Sequence, residues 1–300
     1  MDTKYIFTIL CGDKRQLEMA RLLLERGHRV RIYGVEDSHN LNGASIYTNW
    51  KNAVEGCDVI LLPLPVTRDG ETINISTSLD ISPIYLNELY AIACKSKCGF
   101  ILGGILPSDI ENQCDEKIKI IDYYKDELLQ RKNAIPSAEG ALMIAMQHTD
   151  TTVQNMPVLV LGYGRIAAYL SKILYSLGAD VTVAARSVES IKSAKDNGYN
   201  TVTLGSDEMG LTESFDKAKV VFNTIPSVIF TRNMIDNLNS KPLYIEIASN
   251  KGGIDMSAAR NKGIEVICAP SIPAKYSPVT AGRYIFETIT EILAKRGLEI

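Results

Sequence analysis

Histidine is scarce in this chain: His28, His39 and His148 are the three among 300 residues. None forms His-x-x-x-His or His-Glu-x-x-His, which argues against a catalytic metal site on a helix. Any one of them could still act as a general acid or base. Cysteine is also thin. Of Cys11, Cys57, Cys94, Cys98, Cys114 and Cys268, only Cys94 and Cys98 lie close together, and no second pair completes a zinc cluster. The expectation is reduced cytosolic thiols and no metal. No run of 18 apolar residues exists, so no membrane span is expected. The start, Met1-Asp2-Thr3-Lys4 and a short apolar run to Cys11, is too brief for a signal peptide. Excess charge is missing too. Lys and Arg total 32 against 35 Asp and Glu, a net charge of −3. That balance gives no electrostatic reason to bind nucleic acid or an anionic membrane. What remains is ordinary globular composition, 46% apolar and 22% charged. At about 150 residues per domain, the length suggests two domains.

Strand and helix patterns alternate along the chain. Buried strands are predicted over 5–11, 29–33, 58–62, 99–102 and 117–123, with helices over 13–26 and 83–94. Asn133-Ala134-Ile135-Pro136 interrupts this series. A helix is expected to begin near Ser137, with Pro136 as its starting residue, and to run to about Thr149. A second series then has strands over 158–161, 180–184, 201–204, 220–224, 243–248 and 265–269. A long last helix, 278–296, follows and could cross back onto the first half. The pattern predicts parallel βαβ units in both halves.

The two halves begin alike, each with a strand, a glycine turn, a helix, a glycine and a second strand. One difference decides which copy can bind a cofactor: the first has Lys14 where the second has Gly164. The second copy reads Gly162-Tyr163-Gly164-Arg165-Ile166-Ala167, the Gly-x-Gly-x-x-Ala turn of a dinucleotide site, between a strand and a helix. Gly162 allows the tight turn, Gly164 lets backbone approach a pyrophosphate, and Ala167 permits close packing. The helix N terminus then offers N–H groups to phosphate. Lys14 makes a pyrophosphate unexpected at the first copy.

The next strand end selects the nucleotide. NAD sites carry a carboxylate there, whereas this chain reads Ala185-Arg186-Ser187. Arg186 and Ser187 suit a 2′-phosphate, so NADP(H) is expected. Thr224, Ile225 and Pro226, with Ala248, end later strands and should border the same nucleotide; Asn223 and Thr224 could bond ribose. Ordinary strand termination, by Pro226 and by Gly252-Gly253, is the alternative reading of these turns.

Several stretches then fall in a recognisable order: Asn133 to Gly140, the helix through His148, Gly162 to Arg165, Ala185-Arg186-Ser187, Asn223 to Pro226, Ala269-Pro270-Ser271-Ile272-Pro273 and Pro278 to Gly282. The set resembles the dipicolinate synthase A-subunit family of spore-forming bacteria over nearly the whole chain. The resemblance implies an NADP-linked dehydrogenase converting dihydrodipicolinate, or a hydroxylated precursor, to dipicolinate. It implies a partner, the flavoprotein-like B subunit, and a cytoplasmic place in the mother cell during sporulation; a homo-oligomer is also expected. The implied fold is α/β, two Rossmann-like domains with parallel sheets resembling the D-2-hydroxyacid dehydrogenase architecture, joined by crossing helices. Residues 1–134 and 279–300 would form the substrate-side domain, and 135–278 the NADP-binding domain.

Taking hydride from a dihydropyridine-type ring creates an aromatic pyridine, so a ring proton must also be accepted. The dianionic substrate needs cations or backbone donors. Candidates are Arg68 and Thr67 after a first-half strand, with Arg15, Lys251 and Lys275 as further cations. Each has a bland alternative as surface charge. Glu139 could bind substrate, serve as base or cap a helix, and His148 could be an acid–base group or pack between domains. The chain departs from hydroxyacid dehydrogenases, which place an arginine and a histidine where it has Ser249-Asn250-Lys251 and Pro270-Ser271-Ile272-Pro273. The missing histidine argues against 2-hydroxyacid oxidation. Two other readings stay open: another NADP-linked dehydrogenase or imine reductase on a small carboxylate, and a non-catalytic NADP(H)-binding regulatory protein.

Overall fold

The computed structural model describes residues 4–75, 80–108, 110, 117–248 and 252–300. The chain divides into two compact units, Met1–Lys132 with Ser277–Ile300, and Asn133–Tyr276.

The first unit contains β1 (Ile6–Leu10), α1 (Lys14–Glu25), β2 (Arg29–Tyr33), β3 (Ser45–Ile46), α2 (Trp50–Val54), β4 (Val59–Leu61), α3 (Leu86–Ala93), β5 (Phe100–Gly103) and β6 (Lys119–Asp122). Helix α4 (Glu127–Gln147) carries the chain into the second unit. There follow β7 (Pro157–Leu161), α5 (Arg165–Ser176), β8 (Asp180–Ala185), α6 (Val188–Asp196), β9 (Asn200–Thr203), α7 (Glu208–Lys217), β10 (Val220–Asn223), α8 (Arg232–Asp236), β11 (Leu243–Glu246), α9 (Met256–Lys262), β12 (Val266–Cys268) and α10 (Ile272–Tyr276). The final helix, α11 (Pro278–Ala294), belongs to the first unit and packs on α1.

Each sheet has six strands, ordered β3-β2-β1-β4-β5-β6 and β9-β8-β7-β10-β11-β12, and the pairings are parallel. Both are Rossmann-like, and the strand order reverses beside β1 in one and β7 in the other. Apolar runs suit such strands because both faces are covered. In β7, Val158 and Val160 enter the cluster on one face while Leu159 and Leu161 enter that on the other. In the first unit the faces divide likewise, with Ile60 in one cluster and Val59 and Leu61 in the other.

One prediction is corrected. The helix does not start at Ser137: α4 runs unbroken from Glu127, with Pro136 inside it. The residues before the proline explain this. Leu128, Leu129, Gln130, Arg131, Lys132 and Ala134 are strong helix formers, Leu129 and Ala134 are buried, and the Asp126 carboxylate accepts from the Leu129 N–H at 2.8 Å. Together these outweigh the roughly 3 kcal/mol cost of an interior proline. Pro136 has no N–H for the Lys132 carbonyl one turn earlier, and the division between the units falls directly after Lys132.

Candidate functional site

In the second unit the β7–α5 turn is shaped by its glycines. Gly162 has φ of +94°, and a Cβ there would stand 2.5 Å from Thr224 Oγ1. The Thr224 hydroxyl is fixed in that place because it donates to the Leu161 carbonyl at 2.7 Å. Around Gly164 the opposite holds: nothing lies within 4 Å of where its Cβ would be, and no side chain caps the N terminus of α5. Ala167 is fully buried against the sheet. Tyr163 packs edge-on to Tyr199 with ring centroids 6.4 Å apart, Ile166 lies partly buried against the core, and Arg165 is exposed. An open, uncapped helix N terminus over side-chain-free backbone fits a pyrophosphate.

The matching turn of the first unit is filled by its own side chains. A Cβ on Gly12 would fall 2.5 Å from Gln16 Oε1. That oxygen accepts from the Asp13 N–H at 2.8 Å, and the Asp13 carboxylate accepts from the Arg15 N–H at 3.0 Å. This capping box uses the donors that a phosphate would need.

Strand β8 runs beside β7, so Ala185, Arg186 and Ser187 emerge at the same sheet edge as Gly162. Ala185 is buried; Arg186 is exposed and makes no hydrogen bond or ion pair among the described residues. Ser187 caps α6, accepting from the Ser190 N–H at 3.1 Å, so its hydroxyl is already engaged. The next turn holds Ile225, partly buried, and Pro226, while Ala248 is half-buried at the edge of the described segment.

Asn223 is committed to partners inside the protein. It is fully buried, and its Nδ2 donates to both Glu246 oxygens, at 2.8 and 3.0 Å. Glu246 also accepts from the Ala248 N–H at 3.1 Å and the Gly253 N–H at 2.6 Å. Burial pushes its carboxyl above the ordinary value, against the pull of these donors. Sequence reasoning missed Glu246, although a lone carboxylate in Leu243-Tyr244-Ile245-Glu246-Ile247-Ala248 was a usable signal.

The acid–base candidates part ways. Glu139 is not a helix-starting residue but lies well inside α4, exposed and without a partner among the described residues. Its neighbour Gly140 packs on α10, where a Cβ would meet Ile272 Cγ2 at 2.2 Å. Helix α10 follows the carboxyl end of β12, so Glu139 lies toward the sheet edge that carries Gly162. His148 is nine residues on, roughly 13 Å along the chain if helical. Its Nδ1 lies 3.1 Å from Glu265 Oε1, just before β12 begins, at the opposite edge.

In the first unit, Thr67 and Arg68 follow β4. Thr67 Oγ1 donates to Asp69 at 2.9 Å and accepts from the Gly70 N–H at 3.0 Å, which commits it to its own turn. Asp69 is held well below the carboxylate range by Thr72, Glu71 and Thr67 donors. Arg68 is exposed and unpaired among the described residues. Arg15 is buried, bidentate on Asp13 at 2.9 and 2.8 Å, and donates to the Leu64 carbonyl at 2.5 Å, so it is a structural cation. Lys275 is exposed on α10; Ser249, Asn250 and Lys251 lie outside the described residues. Among the described residues no group of three or more His, Cys, Asp or Glu could hold a metal ion, and no helix is long and apolar enough to cross a membrane.

Residues 6–124 match the N-terminal domain of the dipicolinate synthase A-subunit, and residues 128–241 match the D-isomer specific 2-hydroxyacid dehydrogenase NAD binding domain. The dipicolinate synthase A-subunit of Bacillus subtilis is 30% identical over 289 residues, covering 96% of this chain and 95% of that protein. The crystal structure of the Bacillus halodurans A-subunit superposes with a TM-score of 0.82 at 28% identity, covering 98% and 99% of the two chains. The Bacillus subtilis structure gives 0.80 at 28% identity, covering 98% and 97%. The second unit is therefore a dehydrogenase-type domain for a nicotinamide nucleotide, and over its whole length the chain belongs to the dipicolinate synthase A-subunit family.

Proposed function

We propose that this chain is an NADP-dependent oxidoreductase that converts dihydrodipicolinate to dipicolinate. The observation that carries the nucleotide choice is the exposed, unpaired Arg186 one strand away from the uncapped α5 N terminus. Gly162 and Gly164 with the first turn of α5 hold the pyrophosphate, Tyr163, Arg165 and Ile166 flank it, and Arg186 and the residues around Ser187 take the 2′-phosphate. Thr224, Ile225, Pro226 and Ala248 line the remaining edge. Bound NADP+ supplies the hydride acceptor. Dihydrodipicolinate gives up one hydride and one ring proton and becomes aromatic; a hydroxylated precursor first loses water. Arg68 is assigned to a substrate carboxylate and Glu139 to the ring proton.

The same reading gives the chain a flavoprotein-like partner protein, a homo-oligomeric state, and a place in the cytoplasm of a sporulating mother cell. Family membership supports it. The test supplies freshly generated dihydrodipicolinate and NADP+ to the chain, with and without the flavoprotein-like partner, and follows pyridine absorbance and NADPH together. Stoichiometric appearance of both is expected. No pyridine in either mixture would overturn the assignment. Pyridine without NADPH would move the redox step to the partner.

A further inference from the structure

Close spacing in the sequence singles out Cys94 and Cys98, but the fold brings Cys98 to a different thiol. Strands β4 and β5 pair with Val59 opposite Phe100 and Ile60 opposite Ile101, and the ladder continues upstream as the Gly99 N–H donates to the Asp58 carbonyl at 3.0 Å. One residue further, just ahead of the two strands, Cys57 and Cys98 stand side by side in the same register. Both are buried in the same cluster, 0% and 3% exposed. Neighbouring strands stand about 4.8 Å apart, within the roughly 4.4–6.8 Å span of Cα atoms that a disulfide bridges. The two thiols also interact. The Cys98 thiol, with Arg31 adding its charge, lowers the pKa of Cys57 against the effect of burial, and Cys98 is raised in turn.

The surface begins one residue from each thiol, at exposed Gly56 and Lys97. Gly56 and Lys97, the residues just before the two cysteines, line an open hollow of about 550 Å³ with Lys51, Lys95, Glu55 and Ser96. Lys95 and Lys97 have no acidic partner among the described residues. Cys57 and Cys98 lie one residue behind this lining, and the Arg31 charge favours the Cys57 thiolate.

We propose that Cys57 and Cys98 form a peroxide-reactive dithiol that closes reversibly to an intramolecular disulfide across β4 and β5. The Cys57 thiolate attacks one peroxide oxygen, giving Cys57 sulfenic acid and releasing hydroxide, which takes up a proton to become water. The Cys98 sulfur then attacks the sulfenic sulfur, forming the S–S bond and expelling the second water. Two thiols are oxidised by two electrons and one hydrogen peroxide is reduced to two waters. A small thiol reductant reverses the step by exchange.

The test treats the full-length chain with hydrogen peroxide, quenches it, alkylates under denaturing conditions and maps cysteine peptides by mass spectrometry. Exposed Cys268 reports that oxidant was effective. The expected product is a Cys57–Cys98 linked peptide, two hydrogens lighter, that dithiothreitol restores to two alkylated peptides. In Cys98→Ser, Cys57 should stop at sulfenic acid and be captured by dimedone. Cys57 and Cys98 both still alkylated when Cys268 is oxidised would overturn the proposal, as would Cys98 linked to Cys94 instead. The wild-type map decides even if the variant fails to fold.

Discussion

The Asn223 amide spans both oxygens of the buried Glu246 carboxylate, at 2.8 and 3.0 Å, and so ties the carboxyl end of β10 to that of β11. The same carboxylate holds the backbone on both sides of the following loop through the Ala248 and Gly253 N–H groups. Four neutral donor contacts converge on one charge, and no cation among the described residues offsets its burial. Glu246→Ala leaves these donors without an acceptor inside the protein, and about 2–4 kcal/mol should be lost in urea unfolding.

The same residue has a pH signature. Its folded-state pKa lies above the ordinary 4.5. Protonation therefore favours the fold: this contribution is full below the unfolded value and is lost as pH rises through the folded value. Glu246→Gln removes the titration. Stability measured against pH should fall more steeply for wild type than for Glu246→Gln above pH 4.5, and parallel curves would refute the assignment.

Gly162 and Gly164 should respond oppositely to alanine. At Gly162, positive φ and the 2.5 Å approach of Thr224 Oγ1 make a methyl group a folding defect. Gly162→Ala should lower the thermal midpoint. Gly164 has φ of −78° and open space around its Cβ position, so Gly164→Ala should fold normally. If the pyrophosphate sits on this turn as proposed, the methyl group obstructs it, and nucleotide affinity should fall at least about tenfold, a cost of about 1.4 kcal/mol. Calorimetric titration beside a melting curve separates the two effects.

Much of this was legible in the chain because parallel strands buried on both faces leave unmistakable apolar runs, such as 158–161 and 220–222. The glycine turn could be read because each glycine answers a backbone need. Pro136 misled because local preference puts proline at helix starts, whereas the helix formers before it and the burial of Leu129 carry α4 through. The roles of Asn223, Ser187 and Thr67 were hidden for another reason. A polar side chain at a strand end can face a ligand or its own backbone, and only the neighbouring strand decides which. The pairing of Cys57 with Cys98 depends on the register of β4 against β5, which no local spacing encodes.

Arg186 should govern nucleotide choice. It meets no acidic side chain among the described residues, so its loss costs the fold little. A charge-assisted contact to phosphate contributes about 1.5–3 kcal/mol, hence Arg186→Ala should weaken NADP binding roughly ten- to a hundredfold and leave NAD binding nearly unchanged. Equal losses for both nucleotides in a fluorescence titration would show that the guanidinium touches something other than the 2′-phosphate.

Glu139 lies inside α4 and His148 directly follows its last residue, yet only Glu139 stands toward the sheet edge that carries Gly162. Glu139 adjoins Gly140, which is pressed against Ile272 beyond the carboxyl end of β12. His148 is bound to Glu265 before that strand begins. A ring proton must be accepted within hydrogen-bond reach of the nicotinamide face, and a positioned base contributes about 10²–10⁴-fold. Glu139→Gln should therefore lower kcat by about a hundredfold or more with NADP affinity intact. His148→Gln should leave kcat within about twofold, because losing an exposed pair with Glu265 costs at most about 1 kcal/mol of stability. Stopped-flow measurement of NADPH formation in both variants checks the pair. A large loss in His148→Gln with none in Glu139→Gln would transfer the base to the histidine and invert the orientation argued from the sheet.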